Sequence, residues 1–419
     1  MTDGFERVSV IGLGYVGLPT AAVIADIGPR VRTVAGVDVD AQRVERLMKG
    51  EVHFVEPDLD TLLGKSLKSG TFRAVTEPEK ADAFVIAVPT PFTHDHQADL
   101  THLEAAARAL APVLEKGNLV LIESTSPVGT TERFAGWLAA ERPDLSFPQL
   151  NGDPGDVFIA YSPERVLPGN ILAELRGNDR VIGGLTPACA ERALAFYRLF
   201  VDGNCDLTDA RTAEMVKLAE NAYRDANVAF ANEMASVCEL LEIDVYHMVE
   251  LANRHPRVNI LNPGPGVGGH CVAVDPWFIV GSAPDRTPLI QTARRVNDQK
   301  PAEIVGRIAE MAAARGSRAV ACLGLAYKAD IDDLRQSPAI EVVRNLARLF
   351  EGEILVVEPH IDALPDGLAG EARIRLVATD DALAAADILV LLTDHSAFRA
   401  IDEEARAGKG VIDTRGMWR

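Results

Sequence analysis

The segment NPGPGVGGHCVAVDPW, Asn262 to Trp277, sets Cys271 behind Gly264, Gly266, Gly268 and Gly269, with Asp275 four residues after it. A cysteine that merely fills a core behaves as a small hydrophobe among larger side chains. Cys189, Cys205, Cys238 and Cys322 read that way. Cys271 does not, because a glycine loop leaves little bulk near the sulfur, so a substrate can approach it and backbone N–H groups can point inward. The thiolate is the reactive form, and an ordinary thiol titrates near about 8.5 unless cations lower it. Lys217 is a candidate cation for that task, and Asn221, four residues on, shares its helix face. His255 and His270 have no partners at metal-ligand spacing, so no metal is expected.

A second constellation opens the chain. RVSVIGLGYVGLPTAAVIADIG reads as strand, glycine turn and helix, with Gly12, Gly14 and Gly17 forming a GxGxxG. The first glycine permits a tight turn, the second lets backbone approach a pyrophosphate, and the third lets helix and strand touch. The helix N-terminus adds N–H groups and positive dipole for phosphates. VRTVAGVDVD then ends a second strand at Asp38, where an acid meets a ribose 2′-hydroxyl and repels a 2′-phosphate, so NAD is expected over NADP. Arg43 is placed along the adenine or ribose. A thiolate in an NAD enzyme points to four-electron chemistry. An aldehyde is a poor hydride donor, but its thiohemiacetal gives up hydride readily, and the resulting thioester is hydrolysed.

These residues need elements to hold them. ADAFVIAVPTP and NLVLIESTSPVGTT are apolar runs with small polar ends, as buried parallel strands with ligand-facing carboxyl ends should be. They place Pro89, Thr90, Ser124 and Thr125 at the lip of a crevice. DVFIAYSPERVLPGN and DRVIGG extend the sheet and put Glu164 and Arg165 on the same rim. From Thr212 to Leu241, apolar residues recur at helical steps without proline or glycine, giving a long helix. Its alanines permit close helix approach, so it serves as a spine and a dimer surface. The last third repeats the wound pattern: ILVVEPH parallels VAGVDVD, and ADILVLLTDH parallels ADAFVIAVPT. Its turn, LGLAYKADIDDLRQSP, lacks GxGxxG and carries Lys328 and Arg335, which suggests a different nucleotide. TPFTHDHQADL, residues 90–100, reads as a cover over the crevice or a surface loop.

The expected fold class is α/β: two Rossmann-like doubly wound domains joined by a central helical dimerisation region. The expected segments are 1–200, 201–300 and 301–419. Composition agrees, since 419 residues exceed one ordinary core, and 47% hydrophobic with 25% charged residues is globular. A net charge of −19 argues against nucleic-acid binding. MTDGFERVSV has no cationic region before an apolar core, and no apolar run reaches membrane length, so neither a secretory signal nor a membrane partner is expected. Five cysteines without a CxxC pair suit a reducing cytoplasm.

VIGLGYVGLPTA, ESTSPVGTT, YSPERVLPGN, TAEMVKLAENAYRDANVAFANE, PGPGVGGHCVAVDP and GLAYKADIDDLRQSPA together resemble the UDP-glucose/GDP-mannose dehydrogenase family, along essentially the whole chain. ANRHPRVNILNPGPGVGGHC and AVPTPF are most similar to its UDP-N-acetyl-D-mannosamine branch. The resemblance implies two NAD per UDP-sugar and a homodimer through the central helix. It implies Cys271 as nucleophile, Lys217 and Asn221 as oxyanion stabilisers, Glu164 as base, and Thr125 and Asp275 as positioners of water. It adds Tyr15 and Val16 to the cofactor set and places Arg335 near the cofactor. It assigns Arg165, Val166, Arg257, Asn259, Gly268 and Lys328 to the substrate, alongside Glu164, Lys217 and Asn221. Many members carry serine where this chain has His270, and the histidine agrees with the N-acetylmannosamine branch. The expected substrate is therefore UDP-N-acetylmannosamine, with UDP-N-acetylglucosamine, UDP-glucose or GDP-mannose as the alternatives. A single-step hydroxyacid dehydrogenase needs neither Cys271 nor a third wound segment. An NAD-binding regulator has no reason to keep Cys271, Lys217 and Asn221 together.

Overall fold

The computed structural model describes residues 4–93, 97–148, 150, 155–269 and 271–419. His270 lies outside the described residues. The chain forms two compact units, Met1–Ala219 and Glu220–Arg419. The boundary between them falls within the long helix Ala210–Leu240.

The first unit holds one eight-stranded sheet. Its strands are β1 (Arg7–Ile11), β2 (Thr33–Val37), β3 (Phe72–Val75), β4 (Ala83–Ile86), β5 (Leu119–Ile122), β6 (Phe158–Tyr161), β7 (Arg180–Gly184) and β8 (Cys205–Asp209). The order is β3-β2-β1-β4-β5-β6-β7-β8. β1 to β6 are parallel, whereas β7 pairs antiparallel with β6 and parallel with β8. The apolar runs are continuous because both faces are covered. In β4, Ala83 and Val85 enter one core while Phe84 and Ile86 enter the other, and β5 divides its residues the same way. Cys205 departs from its expected core position. It lies on the outermost strand, where the sheet covers only one side, and is half-buried.

The second unit carries β9 (Ala319–Leu323), β10 (Glu353–Val357), β11 (Ile374–Leu376), β12 (Ile388–Leu391) and β13 (Gly410–Asp413) in the order β11-β10-β9-β12-β13, all parallel. This reproduces the order β3-β2-β1-β4-β5, as the repeated sequence pattern implies. Cys322 in β9 is buried, and burial alone pushes its thiol up to about 12. Ahead of this sheet the chain forms the helices Val245–Ala252, Asp275–Ser282 and Pro288–Arg315. In the 90–100 segment, Phe92 bridges Ala98 antiparallel and Thr93 N–H donates to the Gln97 carbonyl at 2.7 Å; residues 94–96 lie outside the described residues.

Candidate active site

In the first unit, each glycine of the opening turn is required for its own reason. Gly12 has a φ of +94°, and an added Cβ would stand 2.6 Å from the Ala87 carbonyl oxygen. A Cβ on Gly17 would lie 1.8 Å from the Gly12 carbonyl oxygen. Gly14 has no atom within 4 Å of that position, so the backbone is open there to a ligand. Val16 caps the helix Gly17–Ala25, and the Tyr15 ring stacks on Phe54 with centroids 4.2 Å apart. At the end of β2, the buried Asp38 accepts from Leu13 N–H at 3.1 Å, Asp40 N–H at 3.0 Å and Arg43 Nη1 at 2.8 Å. Arg43, expected along the adenine or ribose, is drawn onto that carboxylate.

The lip beyond β4 and β5 is tied by short hydrogen bonds. Ser124 Oγ donates to the Val88 carbonyl at 2.7 Å, and Thr90 Oγ1 donates to the Thr125 carbonyl at 2.5 Å. Pro89 is exposed at this edge and Thr125 is half-buried. Glu164 follows β6 and is buried, accepting from Arg165 N–H at 2.6 Å and Arg180 Nη2 at 3.0 Å. Arg165 donates its guanidinium to the Asp179 carbonyl, and Val166 is half-buried beside it. Glu214, on the long helix, accepts from Gly129 N–H at 2.6 Å, Thr131 N–H at 2.8 Å and Thr131 Oγ1 at 2.6 Å, fixing the helix to the turn that follows β5. Lys217 and Asn221 stand one turn apart further along this helix, and both are buried.

In the second unit, Cys271 is half-buried on the turn that opens Asp275–Ser282. Its carbonyl accepts from Val274 N–H at 2.9 Å and Asp275 N–H at 2.8 Å. The end of a helix with unsatisfied N–H groups favours an anion. Asp275 is buried and accepts from Asn221 Nδ2 at 2.5 Å, so two residues singled out from the sequence meet. The glycine loop corrects the sequence reading. The space its missing side chains leave is taken by protein: a Cβ on Gly268 would stand 2.7 Å from Pro338 Cδ and from Tyr327 Cβ, and one on Gly269 would stand 3.0 Å from the Tyr327 ring. Gly269 N–H also donates to the Arg335 carbonyl at 3.2 Å, while the Arg335 guanidinium is gripped by Asp333. Lys328 is half-buried in the same turn after β9. Arg257 and Asn259 are exposed on the loop after Val245–Ala252, which Asn253 clips by two hydrogen bonds to Ile260.

Several residues that shape these sites escape a motif reading. Glu123, Arg180 and Tyr197 are buried together beside Glu164, and the only sequence sign is a charge ending the run LVLIE. Beneath the glycine loop, Asn232 Oδ1 accepts from Gly264 N–H at 2.9 Å while its Nδ2 donates to Asn297 Oδ1 at 2.9 Å. Asn297 in turn donates to Asp225, which Arg294 grips at 2.5 Å. Asn232→Leu leaves two buried groups without partners. It is expected to destabilise the second unit by about 2–4 kcal/mol in urea unfolding.

Family models for the UDP-glucose/GDP-mannose dehydrogenase family match the NAD binding domain over residues 6–201, the central domain over 211–299 and the UDP binding domain over 321–419. This chain belongs to that family. It is an NAD-dependent oxidoreductase. A UDP-N-acetyl-D-mannosamine dehydrogenase from Yersinia pestis is 55% identical over 423 residues, covering 99% of this chain and all of the relative. An NDP-N-acetyl-D-galactosaminuronic acid dehydrogenase from Ralstonia nicotianae is 55% identical over 414 residues, 99% of this chain and 96% of the relative. The structure of a UDP-D-ManNAc dehydrogenase from Pyrococcus horikoshii superposes with a TM-score of 0.89 at 36% identity, covering 99% of this chain and 96% of the other.

The first unit's turn suits NAD, since Gly14 is open where backbone must approach a pyrophosphate and Asp38 follows β2 directly. The second unit's equivalent acid faces a histidine instead of an arginine. Glu358, after β10, accepts from Leu325 and Ala326 N–H at 2.7 and 3.0 Å and faces His395 Nε2 at 3.0 Å. Burial raises this carboxyl, but His395 and the two N–H groups outweigh it and hold it below its usual range. Asp330, His360 and His395 lie close enough together to ligate a metal, yet His395 Nδ1 accepts from Asp330 N–H at 2.9 Å. Among the described residues, no helix is long and apolar enough to cross a membrane. Asp38→Ala should raise the KM for NAD about tenfold to a hundredfold. It should also narrow the preference over NADP, because Arg43 is released for a 2′-phosphate. Steady-state kinetics with both cofactors check this.

Proposed function

We propose that this protein oxidises the 6-hydroxyl of UDP-N-acetyl-D-mannosamine to the carboxylate of UDP-N-acetyl-D-mannosaminuronate, reducing two NAD per sugar through a covalent bond to Cys271. The observation that carries the reading is the half-buried thiol on the turn opening Asp275–Ser282, followed by a buried Asp275 bonded to Asn221. The Yersinia pestis and Pyrococcus horikoshii relatives support the sugar.

The Gly12–Gly17 turn and Asp38 would hold NAD, which would supply the hydride acceptor for each oxidation. The protein's residues manage protons and charge. In the first oxidation the hydroxyl proton passes to a water positioned by Thr125 and Asp275, and Glu164 relays it. The Cys271 thiolate then adds to the aldehyde carbon. The former carbonyl pair becomes an oxyanion, stabilised by N–H donors of Lys217 and Asn221. When that pair re-forms the carbonyl and hydride departs, a thioester remains. Water attacks it, Glu164 takes the water's proton, and the carbon–sulfur bond breaks to return the thiolate. Arg165, Arg257 and Lys328 meet the diphosphate, with Val166, Asn259 and Gly268 lining the nucleotide sugar and Arg335 beside the cofactor.

A homodimer through the long helix is part of the proposal. Tyr223, Phe230 and Val237 recur every seven residues and are 68%, 49% and 41% exposed, a stripe of apolar side chains suited to a second copy. Five cysteines, none of them in a disulfide, support work in a reducing cytoplasm.

The test is NADH formed per sugar consumed by the purified protein. Two NADH with uronate as product are expected, and one NADH with released aldehyde would remove the covalent route. Equal identity to the Ralstonia nicotianae protein favours a second reading, the galacto epimer. UDP-N-acetylmannosamine, UDP-N-acetylgalactosamine and UDP-N-acetylglucosamine run side by side decide the sugar by kcat/KM.

A further inference from the structure

We propose that Glu123, acting through the shared guanidinium of Arg180, sets how readily Glu164 takes a proton. The inference rests on the base role given above to Glu164. The geometry is confined to the first unit. Arg180 Nη2 donates to Glu164 Oε2 at 3.0 Å, and Arg180 Nη1 lies 3.8 Å from Glu123 Oε1. The Tyr197 hydroxyl donates to that same Glu123 oxygen at 2.7 Å, and the Arg180 guanidinium lies over the Tyr197 ring, 4.7 Å from its centroid. The three charged side chains are 0–7% exposed, so water screens none of these interactions. Glu123 follows β5, Arg180 begins β7, Glu164 follows β6 and Tyr197 ends the helix Pro187–Tyr197. These are the charged or titratable groups that face Glu123 from the surrounding elements, and the Ser162 hydroxyl lies beside Tyr197.

Two carboxylates thus compete for one buried cation. While Glu123 is neutral, Arg180 is committed to Glu164. Once Glu123 ionises, the cation is divided and a second negative charge faces Glu164, which makes Glu164 the stronger base. Burial, opposed by Arg180, raises Glu123 to about 7, so the change falls where a cell works. Glu123 touches neither substrate nor cofactor in this account; it is a positioning residue.

The test uses the full-length protein with NAD and UDP-N-acetylmannosamine, and reads both turnover and the infrared carbonyl band of protonated carboxyls across neutral pH. In the wild type the Glu123 band should disappear as pH rises through neutrality. In Glu123→Gln that titration vanishes. Arg180 then serves Glu164 alone at every pH, so the rise in kcat that accompanies Glu123 ionisation in the wild type is lost. Tyr197→Phe removes a donor to ionised Glu123 and should move the same infrared midpoint upward, which keeps the idea testable if Glu123→Gln folds poorly. Glu164→Gln should lower the Glu123 midpoint by about one unit, because a like charge is gone. An unmoved midpoint in Glu164→Gln, or a Glu123→Gln profile superimposing on the wild type, overturns the proposal. Wild-type turnover in Glu164→Gln would instead refute the base role while leaving the infrared coupling intact, so the two failures read differently.

Discussion

Cys271→Ala is expected to bind NAD as the wild type does and to lose turnover to uronate by about a thousandfold or more. The half-buried sulfur can be removed without leaving a large cavity, so the melting temperature should change little. On the proposed covalent route, what disappears is the tetrahedral carbon from which the second hydride departs. The variant should stop after one NADH per sugar and release aldehyde, which a hydrazine reagent will capture. Cys271→Ser sharpens the test. A hydroxyl ionises far less readily than a thiol, so addition is slow, and an oxygen ester once formed turns over slowly. Intact-protein mass spectrometry should then find a fraction of the chain heavier by one nucleotide-uronosyl group. Two NADH per sugar at the wild-type rate from either variant would refute the nucleophile assignment.

Much of the fold was legible because local sequence and burial agree. Continuous apolar runs such as AFVI and LVLI are readable as strands because each alternate side chain enters a separate core on either face of the sheet. The GxGxxG was legible because each glycine answers a backbone demand, a positive φ at Gly12 and contact with the Gly12 carbonyl at Gly17. The Asn221–Asp275 contact joins two motif residues.

The helix Pro288–Arg315 was not legible. Its buried face includes Arg294, Asn297, Lys300 and Pro301, so the apolar period that marks a helix is replaced by polar groups. Those groups are tolerated inside because Asp225, Asn232 and Glu303 receive them, partners that no local pattern announces. That Glu123 and Arg180 gather around Glu164 was hidden for the same reason, since the three come from after β5, the start of β7 and after β6. Glycine carries its own ambiguity. It declares that a side chain is absent, but not whether a ligand or the protein fills the space. Around Cys271 the protein fills it, which makes the loop a mould for the sulfur's position and not simply an opening.

That difference yields a prediction of comparable size to the loss of the sulfur. Gly268→Ala is expected to lower kcat about a hundredfold while leaving NAD affinity unchanged. The new Cβ would stand 2.7 Å from Pro338 Cδ, 2.7 Å from Tyr327 Cβ and 2.8 Å from the Gln336 carbonyl oxygen. None of these is the free end of a flexible side chain, so the loop itself must yield, and it carries Cys271 three residues later. A displacement of about 1 Å at a reacting group is enough for such a loss. Gly306→Ala provides the contrast. That glycine sits inside Pro288–Arg315 with nothing within 4 Å of an added Cβ, and alanine there should stabilise the helix by about 0.5–1 kcal/mol with turnover intact. Alkylation of Cys271 by iodoacetamide supplies a readout independent of catalysis, since a shifted sulfur should react at a changed rate in Gly268→Ala and at the wild-type rate in Gly306→Ala. Wild-type kcat in a folded Gly268→Ala protein would mean that the glycines do not hold the thiol in place, and the packing explanation for this loop would have to be abandoned.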